Sequence, residues 1–212
     1  MSDLAWLVPV LNRPRNVAPL LQAIQATTPT ARVLFICDPD DVDEQRAIAI
    51  AGGTMISPGG GYPAKINAGV KATTEPFVLL GADDLRPHLG WFETAKAAMT
   101  GDVQVVGLND LIPRAERPEH ATHFLLTREA ASLRCLDGSP GPMYAGYTSW
   151  CSDDELIATA CKRGMYAYCP DAIVEHVGHP MIGGPDDDTY RKGRLHARMD
   201  RKHFRRRMGL WA

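Results

Sequence analysis

The 212-residue sequence predicts an α/β fold, with a mostly parallel central sheet flanked by helices. Two observations carry this reading. Short apolar runs alternate with segments of helical spacing through the first half, joined by short links, as in strand–helix repeats of a parallel sheet. Carboxylates stand directly after two of those runs, at Asp38 and at Asp83–Asp84, where sheets of this kind bind ligands beyond their carboxyl ends.

The elements follow in order. "LAWLVPVL" reads as a buried strand that enters the loop "NRPRN". "VAPLLQAIQATT" has helical spacing at Val17, Leu20, Leu21 and Ile24. "ARVLFICD" is a second strand, and "DPDDVDEQRAIAIAGG" is an acidic turn and a helix stopped by Gly52 and Gly53. A short strand "TMIS" leads through "PGGGYP" to the helix "AKINAGVKATT" and the strand "PFVLLGADD". Beyond these lie the helix "WFETAKAAM", the strands "VQVVGLN" and "THFLLT", and the helix "REAASL". A Gly/Pro/Tyr loop from Cys135 to Trp150 precedes the helix "SDDELIATACKRG", for which Ser152 is the expected cap and Glu155 its capping-box partner. "YAYC" and "AIVEH" are two short strands. We read one mixed α/β domain over 1–188, its first 90 residues expected to hold a nucleotide and 91–188 the other substrate, followed by a basic tail over 189–212.

Composition narrows the class. The balance of 45% hydrophobic and 23% charged residues is that of an ordinary globular protein, and no apolar run reaches the ~20 residues of a membrane helix. Five cysteines without a C-x-x-C pair argue against a disulfide scaffold or a structural zinc site, and with no recognisable signal peptide the expected location is the cytoplasm. The net charge of −2 conceals an asymmetry, because Thr189 to Ala212 holds nine Lys/Arg against one Asp. An acidic body with a basic tail points to an anionic partner for the tail, or to a solvated amphipathic helix.

Three features carry chemistry. Asp83 and Asp84 follow a buried strand, and paired carboxylates suit Mg²⁺ or Mn²⁺, although Asp is also a common turn residue. His176 closes the strand "AIVEH" and can serve as a neutral imidazole ligand or as a structural histidine. Asp153 and Asp154 begin a helix beneath the flexible loop, a position from which a carboxylate can act as general base, or merely cap the helix.

In order, "VPVLNRP", "FICD", "AKINAGVKATTEPFVLLGADD", "FLLTREA", "SDDELIATACKRG" and "PDAIVEH" resemble the GT-A-fold glycosyltransferases, most closely the inverting, nucleotide-sugar-dependent enzymes of family 2. The resemblance runs from Leu4 to Pro180. It implies a single GT-A, Rossmann-like domain, a nucleotide-sugar donor (UDP-sugar first among them) and a divalent metal, Mn²⁺ or Mg²⁺. By that resemblance Pro9, Val10, Asn12, Arg13 and Asp38 line the nucleobase and ribose pocket. Lys65 and Asn67 face the nucleotide, with Ala82 and Asp83 at the strand end. Asp83 matches the last Asp of the family's D-x-D and binds metal, with His176 completing the site and Asp84 in support. Asp153 matches the catalytic base and Asp154 is its rival. Gly81 departs from the pattern, because it stands where the family has the first Asp.

For the acceptor, the tail "TYRKGRLHARMDRKHFRRRMGLW" has the composition of a polyanion-binding segment, and Tyr190, Phe204 and Trp211 are candidates for stacking. A DNA base is one acceptor it fits, beside small-molecule, lipid-linked, glycan and protein acceptors. The tail equally suits anionic lipid head groups or closure over the donor diphosphate. Two other classes stand beside this one: a nucleotidyltransferase of related fold, which would carry glycines in the first loop, and a non-catalytic nucleic-acid-binding protein.

Overall fold

The computed structural model describes residues 2–117 and 119–212. Its eight-stranded sheet has the order β3-β2-β1-β4-β7-β6-β8-β5. The strands are β1 (Leu4–Pro9), β2 (Arg32–Ile36), β3 (Thr54–Ile56), β4 (Phe77–Leu80), β5 (Leu85–Pro87), β6 (Val105–Asn109), β7 (Phe124–Thr127) and β8 (Tyr166–His176). The helices are α1 (Val17–Thr27), α2 (Val42–Ile50), α3 (Tyr62–Lys71), α4 (Trp91–Ala97), α5 (Arg128–Ser132), α6 (Ser152–Lys162) and α7 (Asp188–Arg207). Four strand pairings are parallel and three antiparallel. The predicted parallel repeat accounts for β1 to β4. In the second half β7 inserts antiparallel between β4 and β6.

Strand alternation builds two cores. Leu4, Trp6 and Val8 of β1 face one side, against Val17, Leu20 and Ile24 of α1, Ile48 of α2 and Trp91 of α4. Ala5 and Leu7 face the other, against Ile66 and Val70 of α3, Ala130 of α5 and Leu156 of α6. Successive side chains of a strand point to opposite faces, so one apolar run serves both layers. This is why the strands read as continuous rather than alternating hydrophobic runs.

Two expectations need correction, and one strand was not foreseen. "YAYC" and "AIVEH" form one strand, β8, whose pairing with β6 shifts register between Leu108 and Asn109, so that Pro170 is accommodated in the irregularity. The residues after Asp84 form a further short strand, β5. Ser152 is not the cap of α6. The cap position falls on Cys151, at φ 63°, and the Ser152 hydroxyl donates to the Ser149 carbonyl at 2.7 Å. Glu155 does not reach back either, since it accepts from Tyr147 at 2.6 Å and from Arg207 at 2.7 Å and 2.8 Å. All five cysteines are free, and among the described residues no helix is long and apolar enough to cross a membrane.

Candidate active site

The strand-end carboxylates are brought to histidines by register. Leu85 pairs with His176 across β5 and β8, which sets His176 beside Asp84; Nε2 lies 3.1 Å from Asp84 Oδ1. Leu80 pairs with Phe124 across β4 and β7, which draws His123 in; its Nδ1 lies 3.3 Å from the Leu80 carbonyl, and its ring meets that of His176 edge-on at 5.1 Å. Burial, followed by the neighbouring His176, pushes His123 down to about 4, so it is neutral at physiological pH.

Arg13 sits on the carboxylate pair. Its Nη1 donates to Asp84 at 2.8 Å and to Asp83 at 3.2 Å, while Nε and Nη2 donate to Asp187 at 2.8 Å and 3.0 Å. Asp187 is the N-cap of α7, and the Tyr190 hydroxyl one turn on donates to Asp84 at 3.1 Å. Desolvation and the adjacent Asp84 push Asp83 up to about 7. Asp84 goes the other way: burial would raise it, but His176 and Arg13 outweigh burial and hold it well below the usual carboxylate range. Asp83 Oδ2 and His176 Nδ1 are buried without a hydrogen-bond partner, while buried Asp84 Oδ1 faces only His176 Nε2. A cleft of about 220 Å³ opens beside them, lined by Arg13, Arg15, Asp83, Asp84, Arg86 and Asp187.

The second group gathers around β1 and β2. Lys65 is buried, and its ammonium donates to the Val10 carbonyl at 2.8 Å and to Asp38 Oδ2 at 2.9 Å. Three residues far apart in sequence thus meet at one point. Asn12 adopts φ 55° and donates its N–H to Asp41, the N-cap of α2; the Arg13 N–H donates to buried Glu44 at 2.8 Å. The first loop is therefore pinned to α2 along its backbone, which aims the Arg13 side chain at the carboxylates. Pro9 ends β1. Ala82 packs partly buried against the β1 core. Asn67 has other employment: its amide donates to the Met143 carbonyl at 2.7 Å and accepts from the Met143 N–H at 3.3 Å, holding the Gly/Pro/Tyr loop.

The third group lies at the start of α6. Asp153 Oδ2 is 3.0 Å from His120 Nε2, and Asp154 pairs with Arg117. His120, Asp153 and Asp154 are the one trio among the described residues whose ligand atoms all lie within 4.8 Å of one another. The Tyr62 hydroxyl, at the start of α3, is buried without a partner, and burial together with Asp153 raises it. Arg114 is locked onto Asp110 by two hydrogen bonds of 2.7 Å and 2.6 Å, and against the cost of its burial these bonds and the charges of Asp110 and Asp153 hold its pKa up. Asp110 itself accepts from Thr122 and presents its carbonyl to the His176 N–H, tying this group to the first.

Comparison with solved structures bears on the fold. The chain has the GT-A glycosyltransferase fold. A mannosyltransferase from Pyrobaculum calidifontis, solved with GDP-Man and Mn²⁺, superposes with a TM-score of 0.65 at 13% identity, covering 84% of this chain and 57% of that one. Glucosyl-3-phosphoglycerate synthase from Mycobacterium tuberculosis, solved with Mn²⁺, UDP and glucosyl-3-phosphoglycerate, superposes at 0.59 with 16% identity, covering 85% and 74%. This GT-A chain thus spans little more than half the length of the mannosyltransferase. No family model and no curated protein sequence matches it.

Sequence reasoning missed His120, His123, Asp110 and Asp187, and gave Tyr190 a stacking role where the structure sets its hydroxyl on Asp84. "THF" and "ERPEH" each place a histidine just before a strand that borders β4, a signal available only once that strand's neighbour is known. Asp187 had a readable signal, since an Asp one residue before a helix is a strong cap. Its grip on Arg13 had none.

Proposed function

We propose that the GT-A chain is a metal-dependent, inverting glycosyltransferase of the family 2 type, moving a sugar from a nucleotide sugar to an acceptor hydroxyl. The observation that carries this reading is the buried Asp83–Asp84–His176 group at the end of β4, in which Asp83 Oδ2 and His176 Nδ1 are left without a partner. Two hard oxygens and an imidazole suit Mn²⁺ or Mg²⁺, the metals of this donor chemistry. Asp83, Asp84 and His176 would hold the metal, which when bound neutralises charge on the leaving diphosphate.

The chain's own residues do the rest. Lys65, fixed by Val10 and Asp38, and Arg13 supply positive charge on the donor side. Asp153 takes the proton of the acceptor hydroxyl as its oxygen forms the bond to the anomeric carbon, while the bond from that carbon to the diphosphate breaks. Attack opposite the leaving group inverts the configuration. His120, hydrogen-bonded to Asp153 Oδ2, orients the carboxylate. Asp154 is paired with Arg117 and is the weaker candidate for base. Gly81 removes one carboxylate of the family pattern for a local reason: a Cβ there would stand 2.6 Å from Trp6 Nε1 and 2.9 Å from the Leu7 carbonyl. The pair Asp83–Asp84 then replaces D-x-D.

A thermal-shift panel of UDP-, GDP- and dTDP-sugars with and without Mn²⁺ tests this. One donor should raise Tm only when Mn²⁺ is present, by mass action on the folded state. No shift with any donor would count against the reading.

A further inference from the structure

The helix α7 is twenty residues long, yet only Ala197 and Asp200 along it are buried. Its docking face is well defined. Gly193 approaches Ser149 and Trp150, and Asp200 accepts the N–H groups of Thr148, Ser149 and Trp150 at 3.0–3.2 Å. Arg207 joins Glu155 and Asp137 and lies over the Tyr144 ring. These positions recur at helical spacing on one face. The opposite face, by the same spacing, carries Arg191, Arg198, Lys202, Arg205 and Arg206, all exposed.

The one acidic residue after Asp188, Asp200, points inward and is consumed by backbone N–H groups, so beyond the Arg191–Asp188 pair at its start no carboxylate of the helix offsets the charge of the outer face. Arg198, Lys202, Arg205 and Arg206 have no carboxylate partner among the described residues. From Arg191 to Arg205 the row covers about 21 Å at the helical rise. Seven of the nine basic residues of 189–212 are arginine, whose planar fork matches phosphate oxygens. The expected stacking residues are committed elsewhere: Phe204 packs on Trp211 at 5.3 Å, and Tyr190 lies in the site. Recognition here is therefore of charge rather than of bases. Leu195 and Met199 are the apolar side chains on this face, short of the broad apolar stripe that a helix lying in a lipid surface needs.

We propose that the outer face of α7 docks the phosphate backbone of a nucleic acid. Its first turn touches Asp84, and its middle holds the turn that leads into Asp153, so a bound strand lies beside the cleft. That the docked polymer also carries the acceptor hydroxyl rests on the reading of Asp153 given above; the docking does not.

The test is fluorescence anisotropy with a labelled 25-base-pair duplex, a single strand of the same length and phosphatidylglycerol vesicles, across a salt series. Duplex binding at 50 mM salt, weakening with a log–log slope of about −4, is expected for four or five phosphate contacts. The quadruple variant R198Q/K202Q/R205Q/R206Q should lose at least tenfold in affinity and most of that slope, with its donor thermal shift unchanged. Absence of binding to either nucleic acid, binding that the variant retains in full, or binding to vesicles alone would overturn the proposal. DNA binding without any nucleotide-sugar shift would sink the function proposed above and leave this one standing.

Discussion

The Arg13 guanidinium lies 2.8 Å from Asp84, with its far edge on Asp187. A cation from the first loop thus holds two buried carboxylates that the fold has forced together, and α7 clamps that cation from outside. Removing it leaves the pair uncompensated, a loss of about 3–5 kcal/mol for a buried ion pair. Arg13→Ala should therefore lower Tm markedly, and Mn²⁺ should restore more of it than it adds to the wild-type protein. Equal metal-induced shifts in both proteins would show that Arg13 and the metal do not answer to the same carboxylates.

Gly81→Asp tests whether the departure from D-x-D is reversible. The new side chain would meet Trp6 and the Leu7 backbone, both fully buried, at distances that real Cβ atoms do not adopt. Overpacking of this kind costs about 1–3 kcal/mol. The variant should melt earlier and bind no more Mn²⁺ than the wild type. Tighter metal binding with unchanged Tm would mean that the space exists.

Asp153→Asn should reduce transfer by a factor of about 10² to 10⁴, the usual worth of a positioned general base, without altering donor binding. Asp154→Asn should cost far less. Steady-state kinetics with a competent donor–acceptor pair distinguishes them, and equal losses would make the carboxylates act as a unit.

His123 gives a pH signature. Its folded pKa is depressed from 6.5 to about 4, so between those values the unfolded chain binds more protons. The stability it supports is full above about pH 6.5 and is lost as pH falls toward 4, by about 3 kcal/mol at most. Asp83, raised to about 7, acts in the opposite sense over much of this range, so the wild-type curve alone does not isolate the effect. The stability difference between wild type and His123→Asn should shift by that amount in the stated direction as the pH is lowered from 7 to 4. A difference independent of pH would show that His123 is not held neutral.

Much of this was legible in the sequence. Buried strands of the first half announce themselves as apolar runs, and the strand-end carboxylates mark the edge of the sheet where ligands sit. Val10 and Asp38 were expected to line one pocket and Lys65 to face the nucleotide, and the three are joined by hydrogen bonds. The rest depended on pairings that no local pattern encodes. Register between β5 and β8 brings His176 to Asp84 across the fold. The cap of α6 was misread because Glu155, three residues after Ser152, is instead consumed by Tyr147 and by Arg207 from α7. Asn67 likewise turned to the loop rather than outward.

The central claim is metal-dependent donor chemistry at Asp83 and Asp84. Its most direct measurement is release of nucleoside diphosphate from the donor found in the thermal-shift panel, with Mn²⁺ and after chelation, in wild type and Asp83→Asn. The account predicts release by the wild-type protein with Mn²⁺, and near-background rates after chelation or in the variant. Undiminished release by chelated wild-type protein, or by Asp83→Asn, would contradict it.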